Sequence, residues 1–210
     1  MSDADVTLAA DLAQRAGQLL LSIRSTPGLE GKELGKRGDH DSNELLLAGL
    51  AEARPDDAVL SEESVDSPAR LGADRVWIID PLDGTREYGM PGRDDWAVHV
   101  ALWQLGREIT DAAVAQPALD AVYTTAAPNP APPAPGIVLV SDSRPPAFAP
   151  AAAAAIGAEV RPMGSAGAKA MAVVRGEADI YLHSGGQYEW DNCAPVAVAE
   201  RAGLHVSRID

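Results

Sequence analysis

The chain opens on a helical rhythm. Leu8, Leu12, Ala16, Leu19, Leu20 and Ile23 recur three or four residues apart, which gathers them on one face of a helix. The spacing predicts a helix over residues 5–25, broken by Thr26-Pro27-Gly28, because proline and glycine interrupt a helical run. Residues 29–41 are polar and punctuated by glycine, which reads as a loop. Leu45, Leu46 and Leu50 then set a second helix over 42–54, stopped by Pro55-Asp56-Asp57.

The period next shortens to that of strands. Two apolar runs, 58–60 and 75–79, each end in acid: Ser61-Glu62-Glu63 after the first, Asp80-Pro81-Leu82-Asp83 after the second. Over 95–103, Trp96, Val98, Val100 and Leu102 alternate with other residues, the pattern of a half-buried strand. Gly106-Arg107 suits a turn, and 109–116 and 121–125 continue the sheet as a meander. A Pro/Ala-rich stretch, 126–135, reads as a linker or exposed crossover. Beyond it strands at 137–141, 159–162 and 179–182 alternate with helices at 146–156, 166–175 and 192–202, and Gly203 leads into Leu204-His205-Val206. The fold class is therefore α/β, with an α+β half over 1–134 followed by an α/β half over 135–210. No internal repeat is visible.

Composition narrows the function. With 210 residues, 46% hydrophobic and 23% charged, the chain can bury a sizeable core. One cysteine excludes a disulfide framework or a cysteine-based zinc cluster. Asp+Glu number 31 against 17 Lys+Arg, a net charge of −14, which repels nucleic-acid phosphates. No apolar run approaches the roughly 18 residues of a membrane span, and Met1-Ser2-Asp3-Ala4-Asp5 carries acid where a secretory signal carries base. The expectation is a soluble cytoplasmic protein that binds neither nucleic acid nor membrane. Its surplus carboxylates are either solvated surface or cation ligands.

Position along the chain favours the second. An apolar strand delivers Asp80 to a sheet edge, Pro81 turns the chain, and Asp83 can swing back beside Asp80. Gly84 permits close backbone approach, and its N–H and that of Thr85 can point at an anion. Two adjacent carboxylates repel unless protonated or bound to a cation. With Glu62 they make three oxygen donors, the type hard cations such as Mg²⁺ take. Asp-Pro and Asp-Gly are equally common turn chemistry. Further on, Asp191 in Glu189-Trp190-Asp191-Asn192 suits either a helix cap or a group aimed at a ligand, and Trp190 suits a core anchor.

Glu62-Glu63, Asp80-Pro81-Leu82-Asp83-Gly84-Thr85 and Trp190-Asp191, in this order and spacing, resemble the motifs of the inositol monophosphatase superfamily of Mg²⁺-dependent, lithium-sensitive phosphatases. Gly164-Ser165-Ala166-Gly167-Ala168-Lys169, Ala178-Asp179-Ile180-Tyr181 and Gln187-Tyr188-Glu189-Trp190-Asp191 are similar to its CysQ branch, in the actinobacterial form. Members of that branch remove the 3′-phosphate of 3′-phosphoadenosine 5′-phosphate (PAP), with its sulfated analogue PAPS a second candidate. The resemblance implies a layered αβαβα sugar-phosphatase fold and a homodimer acting on a small phosphorylated nucleotide or sugar. It also implies that Glu62, Asp80, Asp83, Asp191 and the Leu82 carbonyl hold two or three Mg²⁺. Gly84 and Thr85 N–H groups would take the scissile phosphate. Asp39 would work with Thr85 on the attacking water, with Asp41 a nearby competitor. Glu62, Asp83, Asp191, Ser165 and Lys169 would also border the substrate. Lys169 suits either a second phosphate or ribose, or a solvated helix position. His183 stands where inositol-specific relatives carry an acid, which disfavours inositol phosphates.

The resemblance also sets two rival functions, a broad inositol or fructose-1,6-bisphosphate phosphatase and a catalytically impaired PAP- or metal-binding module. Relatives continue past the Trp-Asp helix with more strands and a helix, so the fold is expected to lack those last elements. His40, His99 and His205 are scattered without metal-ligand spacing, and His99 is expected to face solvent or the far side of its sheet. Cys193 reads as a packed side chain, and Glu63 as an outer neighbour or an exposed residue. P-loop, dinucleotide and G-x-S-x-G signatures are absent.

Overall fold

The computed structural model describes residues 3–126 and 136–208. The linker expected at 126–135 falls, from residue 127 on, outside them. Helices α1 (Asp3–Arg24) and α2 (Gly31–Ala53) cover one face of a five-stranded sheet, ordered β1 (Ala58–Ser61), β2 (Arg75–Asp83), β3 (Ala97–Gln104), β4 (Glu108–Gln116) and β5 (Ala121–Thr124). Only β1 and β2 pair in parallel, and β2 to β5 form the expected meander. A four-residue helix, α3 (Thr85–Tyr88), follows β2.

The second half builds a parallel three-stranded sheet from β6 (Ile137–Ser141), β7 (Glu159–Met163) and β8 (Ile180–Tyr181), in the order β7-β6-β8. Helices α5 (Ala166–Val174) and α6 (Glu189–Arg201) pack on the second face of the large sheet, while α4 (Ala149–Ala155) covers the outside of the small one. Ala172 and Val173 of α5 also meet Ile137 and Leu139. Helices, sheet, helices, sheet and helix thus alternate, as an αβαβα sandwich requires. No helix among the described residues is long and apolar enough to cross a membrane.

The main core lies between α1, α2 and the large sheet. There Leu12, Leu20, Leu46 and Leu50 meet Trp77, Ile79, Trp96, Val98 and Val100. Fully burying one such side chain contributes about 1.5–3 kcal/mol. Tyr88 stands edge-on to Trp96 at 5.0 Å and donates its hydroxyl to Leu20 O at 2.7 Å, which pins α3 beneath α1.

Three expectations need correction. Residues 31–41 are helical, part of α2, and its buried face includes Leu34, Gly35, Gly38, Asp39, Ser42, Asn43 and Leu46. The glycines there are packing positions. A Cβ on Gly35 would lie 2.8 Å from Thr85 Cγ2, and one on Gly38 would lie 2.8 Å from Tyr88 Cε1 and 3.0 Å from Leu82 Cδ2. Tertiary contact therefore outweighs the helix cost of glycine, about 1 kcal/mol each. Second, β3 is buried on both sides: Trp96, Val98 and Val100 face α1 and α2, while Ala97, His99 and Ala101 on the other face are also fully buried. Third, α6 begins at Glu189, three residues earlier than expected. After α6, residues 204–208 carry no strand, although Leu204 and Val206 pack against the α5–α6 cluster.

Gly38→Ala tests the packing role of that glycine. Overpacking costs about 1–3 kcal/mol, of which better helix propensity returns about 1 kcal/mol at most. The variant is expected to unfold at lower urea concentration than the parent, and an unchanged or higher midpoint would refute the close-contact account.

Candidate functional site

Asp80 and Asp83 are three residues apart, so a regular pleat would point them to opposite faces of the sheet. It does not, because β2 carries a bulge. Asp80 pairs with His99 and Asp83 with Ala97, so Pro81 and Leu82 together stand opposite Val98 alone. Pro81 occupies the bulge, where its missing N–H does no harm. The extra residue restores parity, and both carboxylates emerge on the face covered by α5 and α6. Ser42 of α2 donates to Pro81 O at 2.7 Å, holding the bulge from behind.

Asp83 is the most heavily bonded of the group. It accepts from Ser165 Oγ at 2.5 Å, Gly167 N at 2.6 Å and Ala166 N at 3.1 Å, and His99 Nε2 stands 3.3 Å from its Oδ2. Burial opposes its charge, but the neighbouring His99 ring, the Ser165 hydroxyl and the Lys169 charge overcome that and hold it below the usual carboxylate range. Ser165 pays for this with a positive φ of 50° while capping α5 through Ala168 N at 2.9 Å. Asp80 has the reverse balance. It accepts Leu82 N at 3.1 Å and meets the Glu62 carboxyl, a weaker set of partners than those of Asp83. Burial, then the charges of Asp83, Glu62 and Asp191, raise its pKa well above the ordinary value.

Asp191, third in α6, brings the third carboxylate. Its Oδ2 accepts from Tyr188 N at 2.7 Å, so it does cap the helix. It also meets the other two: among the described residues, oxygens of Asp80, Asp83 and Asp191 lie within 4.8 Å of one another. Burial and the charge of Asp83 raise its pKa. Glu62 lies outside this tight trio but borders the same cleft from the end of β1. Its pKa is pushed up to about 7, by desolvation first and then by Asp191.

Asp39 and Thr85 also meet. Thr85 Oγ1 lies 3.3 Å from Asp39 Oδ1 and 3.1 Å from Leu82 O. Asp39 is buried, and desolvation followed by the charges of Glu63 and Glu62 lifts its pKa to about 8. Asp41 instead pairs with Arg37 one turn back on α2. Gly84, at φ 87°, turns the chain from β2 into α3, and a Cβ there would crowd Asp95 O and Ser165 Cβ, both at 3.1 Å.

The cleft holds about 300 Å³ and runs from this acidic end to Arg86, Arg144, Lys169 and His183. Lys169 is not a solvated helix residue. It is buried, and its ammonium donates to Met163 O at 3.3 Å, Gly164 O at 3.0 Å and Ser165 O. Sequence reasoning missed several residues. His99 is fully buried against the site, with Nδ1 3.0 Å from Trp190 O. Arg93 bridges Asp95 and Asp142, and Asp95 accepts from Gly164 N at 2.6 Å, fastening the loop before α5 to the large sheet. The register Asp80↔His99 was the signal for His99, but it appears only once the strands pair. Cys193 behaves as expected, half-buried with its thiol pushed up to about 11 by burial.

Three converging carboxylates, one with its pKa lowered by its partners and two with theirs raised by burial and then by neighbouring charge, form a set of hard oxygen donors suited to a divalent cation such as Mg²⁺. The crowding of Asp80 against Asp83 and Asp191 is the observation that fits a bound cation, since added positive charge offsets the repulsion.

Comparison with known proteins agrees. The family model described as Inositol monophosphatase family matches residues 3–131 and 138–210. A protein of Mycobacterium leprae (strain TN) named 3′-phosphoadenosine 5′-phosphate phosphatase is 52% identical over 98% of this chain and 82% of its own length. Inositol monophosphatase II of Staphylococcus aureus MSSA476 superposes with a TM-score of 0.80 at 18% identity, over 96% of this chain and 83% of that one. CysQ of Bacteroides thetaiotaomicron gives 0.79 at 24% identity, over 95% and 87%. Both structural likenesses establish the layered fold.

Asp39 yields a stability test. An acid whose pKa is about 8 when folded and near 4 when unfolded holds its proton more tightly in the native state between those values, so native stability falls as pH rises across that window. Asp39→Asn is expected to match the parent near pH 4 and to exceed it in urea unfolding at pH 8 without added metal. A parent as stable as the variant at pH 8 would remove the buried-charge account.

Proposed function

The chain belongs to the inositol monophosphatase family, and from that premise we propose that it hydrolyses the 3′-phosphate of PAP to AMP and inorganic phosphate, with Mg²⁺ as cofactor. One observation carries the substrate: 52% identity across 98% of the chain to a protein named for that activity. The chemistry draws support from the Asp80, Asp83 and Asp191 trio beside the Asp39–Thr85 pair.

In this reading Asp80, Asp83, Asp191 and Glu62, with the Leu82 carbonyl, hold two or three Mg²⁺. When bound, Mg²⁺ supplies positive charge that favours ionisation of a water and offsets the charge of the phosphoryl oxygens. Asp39 accepts a hydrogen bond from the Thr85 hydroxyl, which turns a lone pair of Oγ1 toward the attacking water. As the water oxygen bonds phosphorus and the bond from phosphorus to the 3′ oxygen breaks, the water proton passes to Oγ1, the Thr85 proton passes to Asp39, and the leaving 3′ oxygen takes a proton from solvent. Gly84 and Thr85 N–H groups orient the phosphoryl group. Ser165 and Lys169 act on the substrate side by fixing the cleft wall, and Ser165 also keeps Asp83 ionised. The large-sheet half, 1–134, contributes most ligands, and the 135–210 half contributes Asp191 and the substrate-side wall.

Phosphate release from PAP, with and without Mg²⁺, tests the reading, with fructose 1,6-bisphosphate and inositol 1-phosphate as competitors and Asp80→Asn as the blank. PAP is expected to be preferred and release to depend on Mg²⁺. Release favouring the sugar phosphates would move the protein to a broad sugar phosphatase. Thr85→Ala is expected to lower kcat by roughly 10²–10⁴-fold while divalent-ion affinity stays near the parent's. Unchanged turnover in Thr85→Ala would remove the proton-relay role.

A further inference from the structure

We propose that His99 is a positioning residue that ties Asp83 to the first turn of α6 and so sets the separation of Asp83 from Asp191. The proposal rests on reading these carboxylates as a cation site.

Two segments carry the trio: Asp80 and Asp83 on β2, and Asp191 on α6, more than a hundred residues later. His99 touches or pairs with all three neighbourhoods. It stands opposite Asp80 in the β2–β3 register, so its side chain leaves the sheet on the carboxylate face. Its Nε2 is 3.3 Å from Asp83 Oδ2, in contact without a hydrogen bond. Its Nδ1 is 3.0 Å from Trp190 O, the carbonyl directly before Asp191. A carbonyl can only accept, so Nδ1 carries a proton and donates, which fixes the ring's orientation.

The surroundings are cut to fit this ring. His99 has no solvent exposure. A Cβ on Gly167 would fall 2.1 Å from Nε2, so glycine at that position is what admits the imidazole between α5 and the sheet. The N–H of the same Gly167 bonds Asp83 at 2.6 Å. The ring and the α5 backbone therefore approach one carboxylate from two sides. A plain core residue would need neither contact, since an apolar side chain of similar volume fills a cavity without bonding α6. Residues that orient ligands in this way typically change metal affinity 10–100-fold when removed.

The two ring nitrogens can be tested separately. The amide of Asn approximates Nδ1 and that of Gln approximates Nε2. His99→Asn should keep the link to Trp190 O and lose the contact with Asp83, and His99→Gln should do the opposite. Mn²⁺ titration of the full chain by calorimetry, with circular dichroism as the folding control, is expected to show several-fold weaker binding for each. His99→Ala should be weaker by roughly 10–100-fold. Amide exchange at the first turn of α6 is expected to quicken in His99→Gln and stay at the parent's rate in His99→Asn, a split that a merely space-filling residue would not produce. If His99→Ala does not fold, the Asn and Gln pair decides. Folded variants whose Mn²⁺ affinity stays within about twofold of the parent would overturn the role of His99 alone. A parent chain that takes up no Mn²⁺ would overturn the cation reading and this inference together.

Discussion

Everything about this protein turns on the cost of bringing like charges together out of water. Asp80, Asp83 and Asp191 converge within 4.8 Å, and two of the three are buried. Left alone, such a cluster takes up protons or pushes itself apart. The fold meets the difficulty unequally. It surrounds Asp83 with a serine hydroxyl, two amides at the start of α5 and the His99 ring, while Asp80 keeps one backbone N–H. The partners of Asp83 favour its charge, while burial and like charge disfavour that of Asp80. That inequality, rather than the number of acids, distinguishes the cluster from an acidic surface.

Holding the arrangement requires backbones to approach more closely than side chains allow. Gly35 and Gly38 let α2 lie against Thr85, Tyr88 and Leu82. Gly167 admits His99, and Gly164 passes where a Cβ would fall 2.3 Å from Glu87 Cγ. The loop before α5 is then fastened to the large sheet by Asp95, and the turn after β6 by Arg93 and Arg86 to Asp142. Each glycine gives up helix or loop stability in exchange for a contact that the charged centre needs. Strain collects nearby as well, in the positive φ of Ser165.

How much of this was legible depended on whether the signal was local. The acid-tipped strands, the meander and the alternating second half could be read from periodicity, because each rests on neighbours within a few residues. The Asp-Pro-Leu-Asp-Gly-Thr motif foretold that Asp80 and Asp83 converge but not how: the expected turn out of the sheet at Pro81 is a bulge, and β2 continues to Asp83. The start of α2 was not legible, since its buried face at 34, 35, 38, 39, 42, 43 and 46 keeps the helical period with glycine and polar residues. A reading that counts only apolar side chains sees a loop there. His99 failed for a different reason. A single histidine in an alternating strand has no local partner, and its partners Asp83 and Trp190 lie 16 and 91 positions away in sequence. The partners of Asp83 were equally remote, 82 to 84 residues on.

The positive side chains of the cleft bear on how a chain of net charge −14 can accept an anionic substrate in the proposed reaction. Lys169 is spent on three carbonyls, and Arg86 on Glu87 and Asp142. Lys169 and Arg86 are thus already engaged within the wall, and Arg144 is the further positive side chain lining the cleft. At the acidic end itself, attraction for the scissile group would come from cations held by the carboxylates, which reverse the sign locally. In the proposed reaction the same carboxylates that repel an anion would, with cations bound, become the means of holding it, and binding of cation and of phosphate would be coupled through one set of side chains.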